Sequence, residues 1–116
     1  MIFCFLAKIK KEVVMISWVS KHSTHKLLEV DPGQLLARLY HGFHVDQTKF
    51  PPLIDKMERG GELDAPIVTT NEKGLSIVDG EGIHRIMLSI IFGFRTIMIA
   101  VPADEITVVE RSFAAD

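Results

Sequence analysis

Within Ile77-Val78-Asp79-Gly80-Glu81-Gly82-Ile83-His84-Arg85, two carboxylates and two glycines lead directly into an adjacent histidine–arginine pair. The β-branched residues before Asp79 read as a short strand, and the apolar spacing after Gly82 reads as a helix. His84 and Arg85 then fall in the first turn of that helix. Cations there oppose the helix macrodipole, which favours negative charge at its N-terminus. The placement becomes favourable once an external anion sits on the free backbone N–H groups, and phosphate is the commonest such anion. A phosphate site at this turn is the functional hypothesis that the spacing raises.

Each residue has a chemical use and a plainer one. Arg85 presents a permanently charged fork of donors that suits a phosphate bidentately; the residues alone favour an ion pair with Asp79 or Glu81 that pins the turn. His84 suits donation to a phosphate or general acid–base work, since imidazole titrates near neutral pH; bonding to a neighbouring carboxylate would also place it there. Asp79 and Glu81 offer hard oxygen ligands for Mg²⁺ against a triphosphate, and either could orient a water for phosphoester hydrolysis. As a turn residue and a dipole-compatible acid they need no ligand. Gly80 and Gly82 permit positive φ or close approach of a ligand, as any tight turn also requires. The pair matches neither the dinucleotide fingerprint nor the lysine-bearing P-loop, and no organic cofactor is indicated.

The elements that must position this turn follow from periodicity. Residues 13–19 read as a strand covered on both faces, and residues 25–30 as a second. Asp31-Pro32-Gly33-Gln34 opens a helix whose apolar stripe is Leu35, Leu36, Leu39 and Tyr40, with Gly42 as its end. Pro51-Pro52 opens the next helix, which stops at Gly60-Gly61. Residues 65–70 form a strand with Pro66 at its mouth, paired through the turn Asn71-Glu72-Lys73-Gly74 to residues 75–78. The helix carrying the histidine–arginine pair runs from Gly82 to about Phe92, with Ile83, Ile86, Met87, Ile90 and Phe94 as its buried stripe and Gly93 as its cap. Residues 96–101 are a strand, and residues 105–109 fit an edge strand or a short helix. The expected fold is α+β: a small mixed sheet packed with about three helices.

The 116 residues fit one domain over 16–116, with 1–15 as an N-terminal extension or first strand. A single cysteine, Cys4, excludes an intramolecular disulfide and a cysteine-based zinc cluster, and fits a reducing cytoplasm. The net charge of -2 argues against a constitutive, sequence-blind DNA binder. No stretch is long and apolar enough for a membrane span, and the apolar start followed by Lys8, Lys10 and Lys11 is a poor secretory signal. The pairs His22/His25 and His41/His44 have helical spacing but lack the companions of a zinc site, so they read as solvated loop histidines. The lysines up to Lys26 read as surface, though a DNA-facing patch would use them.

These motifs resemble the ParB/sulfiredoxin superfamily, which includes the ParB N-terminal-like nuclease domains. Met57-Glu58-Arg59-Gly60-Gly61-Glu62-Leu63-Asp64-Ala65-Pro66-Ile67-Val68 is similar to its stretch in which a helix ends at glycine and a Pro-Ile-Val strand follows. Val78-Asp79-Gly80-Glu81-Gly82-Ile83-His84-Arg85 then resembles its glycine-x-His/Arg-Arg box, and Gly93 and the strand 96–101 come where the family has them. The similarity spans about residues 27–101. It implies a fold in which the box cradles nucleotide phosphates, with Gly80, Gly82, His84 and Arg85 on the phosphate, and it turns the expectation for Arg85 from ion pair to ligand.

Two departures narrow the implied chemistry. Sulfiredoxin chemistry needs a cysteine before the His-Arg pair, where this chain has Ile83. The ParB box has two adjacent arginines where this chain has His84-Arg85, and no helix-turn-helix follows the matched region, so a chromosome-partition clamp is not expected. What the resemblance leaves is ATP or CTP binding with Mg²⁺, extending to hydrolysis of a phosphate ester with Glu81 or His84 moving the proton. The alternatives are a DNA-binding or DNase-like protein using the same site, and a non-enzymatic module of a mobile element that inhibits a protein partner.

Overall fold

The computed structural model describes the backbone of residues 2–9, 12–40, 44–78 and 82–114, and side chains within these from residue 16 to 113. The fold is α+β, and its strands are β1 (Ile2–Ile9), β2 (Glu12–Val19), β3 (His25–Val30), β4 (Gly61–Asp64), β5 (Val68–Asn71), β6 (Gly74–Ile77) and β7 (Ile97–Pro102). The helices are α1 (Pro32–Arg38), α2 (Phe50–Arg59), α3 (Gly82–Ile91) and α4 (Ile106–Ala114), with 3-10 turns at Gln47–Lys49 and Ala103–Glu105.

One extended segment holds the strands together. From Gly61 to Asp64 it runs parallel to β2, which is itself paired antiparallel with β1 along its whole length. The Ala65 N–H continues this ladder to the Val19 carbonyl at 2.9 Å. The Pro66 carbonyl then accepts from Ala100 of β7 at 2.8 Å, and β7 pairs antiparallel with β3. Finally β5 turns back as β6 in an antiparallel hairpin. Pro66 therefore sits where only its carbonyl is asked to bond, which is the position a residue without an N–H tolerates.

Local chemistry sets most boundaries where the sequence placed them. Asp31 caps α1 by accepting the Gln34 N–H at 3.0 Å. Gly60 ends α2 with a φ of 75°, a left-handed conformation that costs glycine nothing. Gly93, with φ 78°, closes α3: its N–H reaches Ile90 and the Phe94 N–H reaches Ser89, which is a Schellman motif.

Other boundaries differ, each for a non-local reason. Helix α1 stops at Arg38 because Leu39 turns extended and the Tyr40 N–H bonds the Leu75 carbonyl at 2.7 Å. Gly42 lies outside the described residues. Residues 61–64 form β4 because β2 supplies partners for them. Residues 106–114 are a fourth helix, with Val109 buried and Ile106 and Phe113 half-buried on one face. In β2, Ile16 and Trp18 are buried while Ser17 and Val19 are only half so, and it is β7 that is buried at every position from Ile97 to Val101. On α3 the buried face includes His84, Leu88 and Ser89, while Ile90, expected within the buried stripe, is 38% exposed. Among the described residues, no helix is long and apolar enough to cross a membrane.

Candidate functional site

The start of α3 is seated by the absence of a side chain at Gly82. A Cβ built there would lie 3.0 Å from Ile77 Cγ2 and 3.1 Å from Pro66 Cβ. Gly82 is buried and has no positive φ, so what its missing side chain permits is close packing of α3 on the strand layer. Gly82→Ala is expected to lower stability by about 1 kcal/mol, because overpacking against a buried proline ring outweighs the gain in helix propensity. Chemical denaturation checks this, and a stabilised variant would show that Pro66 and Ile77 yield readily.

His84, one turn in, is only 3% exposed. Its Nε2 accepts the backbone N–H of Asp46 at 2.9 Å, so Nε2 is the bare nitrogen and Nδ1 carries the hydrogen of the neutral ring. Nδ1 is buried and has no hydrogen-bond partner among the described residues. The Phe50 ring meets the imidazole edge-on, with centroids 5.3 Å apart. An orphaned buried N–H costs about 1–3 kcal/mol, which marks this as a place where stability has been given up.

The segment bonded by His84 carries a cation. Asp46 caps the turn Gln47–Lys49, its carboxylate accepting from the Thr48 amide at 3.0 Å and the Thr48 hydroxyl at 2.6 Å. These bonds, with Lys49 nearby, hold the Asp46 carboxyl below its ordinary range. Lys49 then leads into α2, whose first turn holds Pro51 and Pro52 and so has few amides to offer a ligand.

A cavity of about 280 Å³ lies between α2 and α3, lined by Lys49, Pro52, Leu53 and Lys56 on one side and His84 and Arg85 on the other. Positions 49, 52, 53 and 56 follow the i, i+3, i+4, i+7 spacing of one helical stripe. Two lysines thus bracket a small apolar floor, facing the histidine–arginine pair. None of the described lining residues is a carboxylate, and no described carboxylate forms an ion pair with Lys56 or Arg85. Arg85, half-buried, also borders a second cavity of about 130 Å³ with Lys21, His22, Asp64, Ala65 and Ala100, where Lys21 and Asp64 pair at 2.9 Å.

The structure thus gathers His84 and Arg85 with Gly82 behind them. Asp79, Gly80 and Glu81 lie outside the described residues, as does His41. Among the described residues no three metal-ligating side chains converge, and the His22 and His25 rings meet at a tilt, with centroids 5.1 Å apart. Lys49, Lys56 and Asp46 are the residues that the sequence reading passed over. The helical spacing of two lysines around Pro52 and Leu53 was the signal available for the first two; nothing local marked Asp46. Comparison with family models, with curated proteins and with solved structures finds no match to this chain.

Proposed function

We propose that this chain is a ParB/sulfiredoxin-like domain of the cytoplasm that binds the phosphates of ATP or CTP in the cavity between α2 and α3. One observation carries the reading: Lys49, Lys56 and Arg85 line a single cavity at the start of α3. Like charges gathered around a low-dielectric pocket raise its potential and favour an anion of matching charge. The first-turn amides of α3 add donors that the helix itself leaves unused. Arg85 supplies the planar fork and the two lysines supply point charges, a division that suits adjacent phosphates.

The described lining of the cavity offers Mg²⁺ no carboxylate, so a metal would depend on Asp79 and Glu81 and on the phosphates themselves. Hydrolysis of a phosphate ester is the further step this reading allows, with Glu81 or His84 in the proton-transfer role. Isothermal titration of ATP and of CTP, each with Mg²⁺, is expected to show saturable binding that weakens with added salt. Heat from neither nucleotide would end the proposal. Steeply salt-dependent binding to DNA without nucleotide binding would instead favour a site for backbone phosphate.

A further inference from the structure

We infer that the smaller cavity beside Arg85 is the sugar subsite of the proposed nucleotide site, with the Asp64 carboxylate accepting hydrogen bonds from ribose hydroxyls. This rests on the proposed phosphate site and adds what that site selects, a ribonucleotide over a deoxyribonucleotide.

The strands create the cavity. β2 and β4 run parallel, and their last register pair, Val19 and Asp64, lines it. Directly beyond, the Ala65 N–H bonds the Val19 carbonyl and the Pro66 carbonyl accepts from Ala100, so the chain crosses here from one sheet to the next. In sheets with parallel strands, ligands sit in the crevice outside the carboxyl ends, where the strand pairing switches.

Size and lining narrow the occupant. The cavities of about 280 Å³ and about 130 Å³ share Arg85 as a wall. Small-molecule pockets hold about 300–1,000 Å³, a range that the two reach only together. The smaller one, well under that range, suits a single ring. In a nucleotide the sugar follows the phosphates directly, as this cavity follows Arg85. Its buried wall includes Ala65 and Ala100, whose short side chains suit the C–H face of a sugar, and its exposed side carries Lys21 and His22.

Asp64 supplies the selectivity. Its Oδ2 pairs with Lys21 at 2.9 Å, and its Oδ1 has no hydrogen-bond partner among the described residues. The lysine offsets the charge, so the carboxylate can stand near phosphates with less repulsion. An ionised carboxylate only accepts hydrogen bonds, and the sugar hydroxyls are the donors nearest the phosphates of a nucleotide.

The test is calorimetric titration of ATP, 2′-deoxy-ATP and 3′-deoxy-ATP, each with Mg²⁺, into wild type, Asp64→Asn and Asp64→Ala, with melting curves to establish folding. Wild type should bind at least one deoxy analogue about tenfold more weakly than ATP, the loss expected when a charged acceptor is left without its donor. Asp64→Ala should bring ATP and that analogue to within about twofold of each other. Asp64→Asn, which keeps an acceptor oxygen without the charge, should lie between. Equal affinity of wild type for all three nucleotides, or a preference undiminished in Asp64→Ala, would overturn the sugar assignment and leave the phosphate site standing. Absence of ATP binding by wild type would overturn both. Should the alanine variant not fold, Asp64→Asn decides by the same ratio, with discrimination equal to that of wild type overturning the inference.

Discussion

Arg85→Ala is expected to weaken binding of ATP and CTP by about tenfold to a hundredfold, the loss of roughly 1.5–3 kcal/mol that accompanies removal of hydrogen bonds to a charged group. The guanidinium borders both cavities beside α3, and no described carboxylate pairs with it. Removing it should therefore take away the proposed ligand contacts without orphaning a partner among the described residues. Thermal stability should change little, within about 0.5 kcal/mol, as for surface positions without special roles. Arg85→Lys should fall between wild type and alanine, since it keeps the charge and loses the fork. Calorimetric titration paired with a melting curve separates the two effects. Unchanged nucleotide affinity in Arg85→Ala, with the fold intact, would remove the central residue from the proposed site.

The largest stability effect away from the cavity is expected at Glu105. Its carboxylate accepts from the Thr69 hydroxyl at 2.7 and 3.0 Å, from the Thr70 amide at 2.7 Å and from the Thr70 hydroxyl at 2.6 Å. These bonds tie the turn before α4 to β5, and so hold the hairpin whose last residue, Ile77, packs against Gly82. The Thr70 hydroxyl and amide, followed by the Thr69 hydroxyl, keep the Glu105 carboxyl below its ordinary value of 4.5. A carboxyl whose folded-state pKa is depressed adds stability that is fully present above the unfolded-state pKa and is lost as the pH falls through the folded one. Glu105→Gln should therefore cost about 2 kcal/mol at pH 7, and the gap to wild type should narrow below about pH 4.5. Urea denaturation across that range measures it. A gap independent of pH would mean that shape, rather than charge, makes the contact.

How much could be read from the chain depended on whether a feature was local. Asp31, Gly60 and Gly93 act on their immediate neighbours, and each terminates or caps the helix expected of it. The turn at Asn71 was legible too, with its side chain accepting the Lys73 amide at 2.7 Å. The early end of α1 was not, because Leu75, which captures the Tyr40 amide, lies far along the sequence. The strand β4 was hidden for a similar reason: of Gly61-Glu62-Leu63-Asp64 only Leu63 is buried, so the segment has no strand signal until β2 lies beside it.

The site divides along the same line. His84 and Arg85 were conspicuous because two cations at a helix start conflict with the helix dipole. Lys49 and Lys56 look like ordinary solvated lysines of an amphipathic helix until α2 packs against α3 and turns their stripe toward Arg85. That His84 Nε2 accepts the distant backbone amide of Asp46 was not legible in the sequence. No periodicity encodes that pairing; it follows from where the turn at Asp46 is carried by the fold.

The most direct measurement is a crystal structure of the protein soaked with ATP or CTP and Mg²⁺. Phosphate density is expected between Lys49, Lys56 and Arg85, against the first turn of α3, with the His84–Asp46 bond kept. Nucleotide bound elsewhere, or a cavity without density at saturating nucleotide, would contradict it.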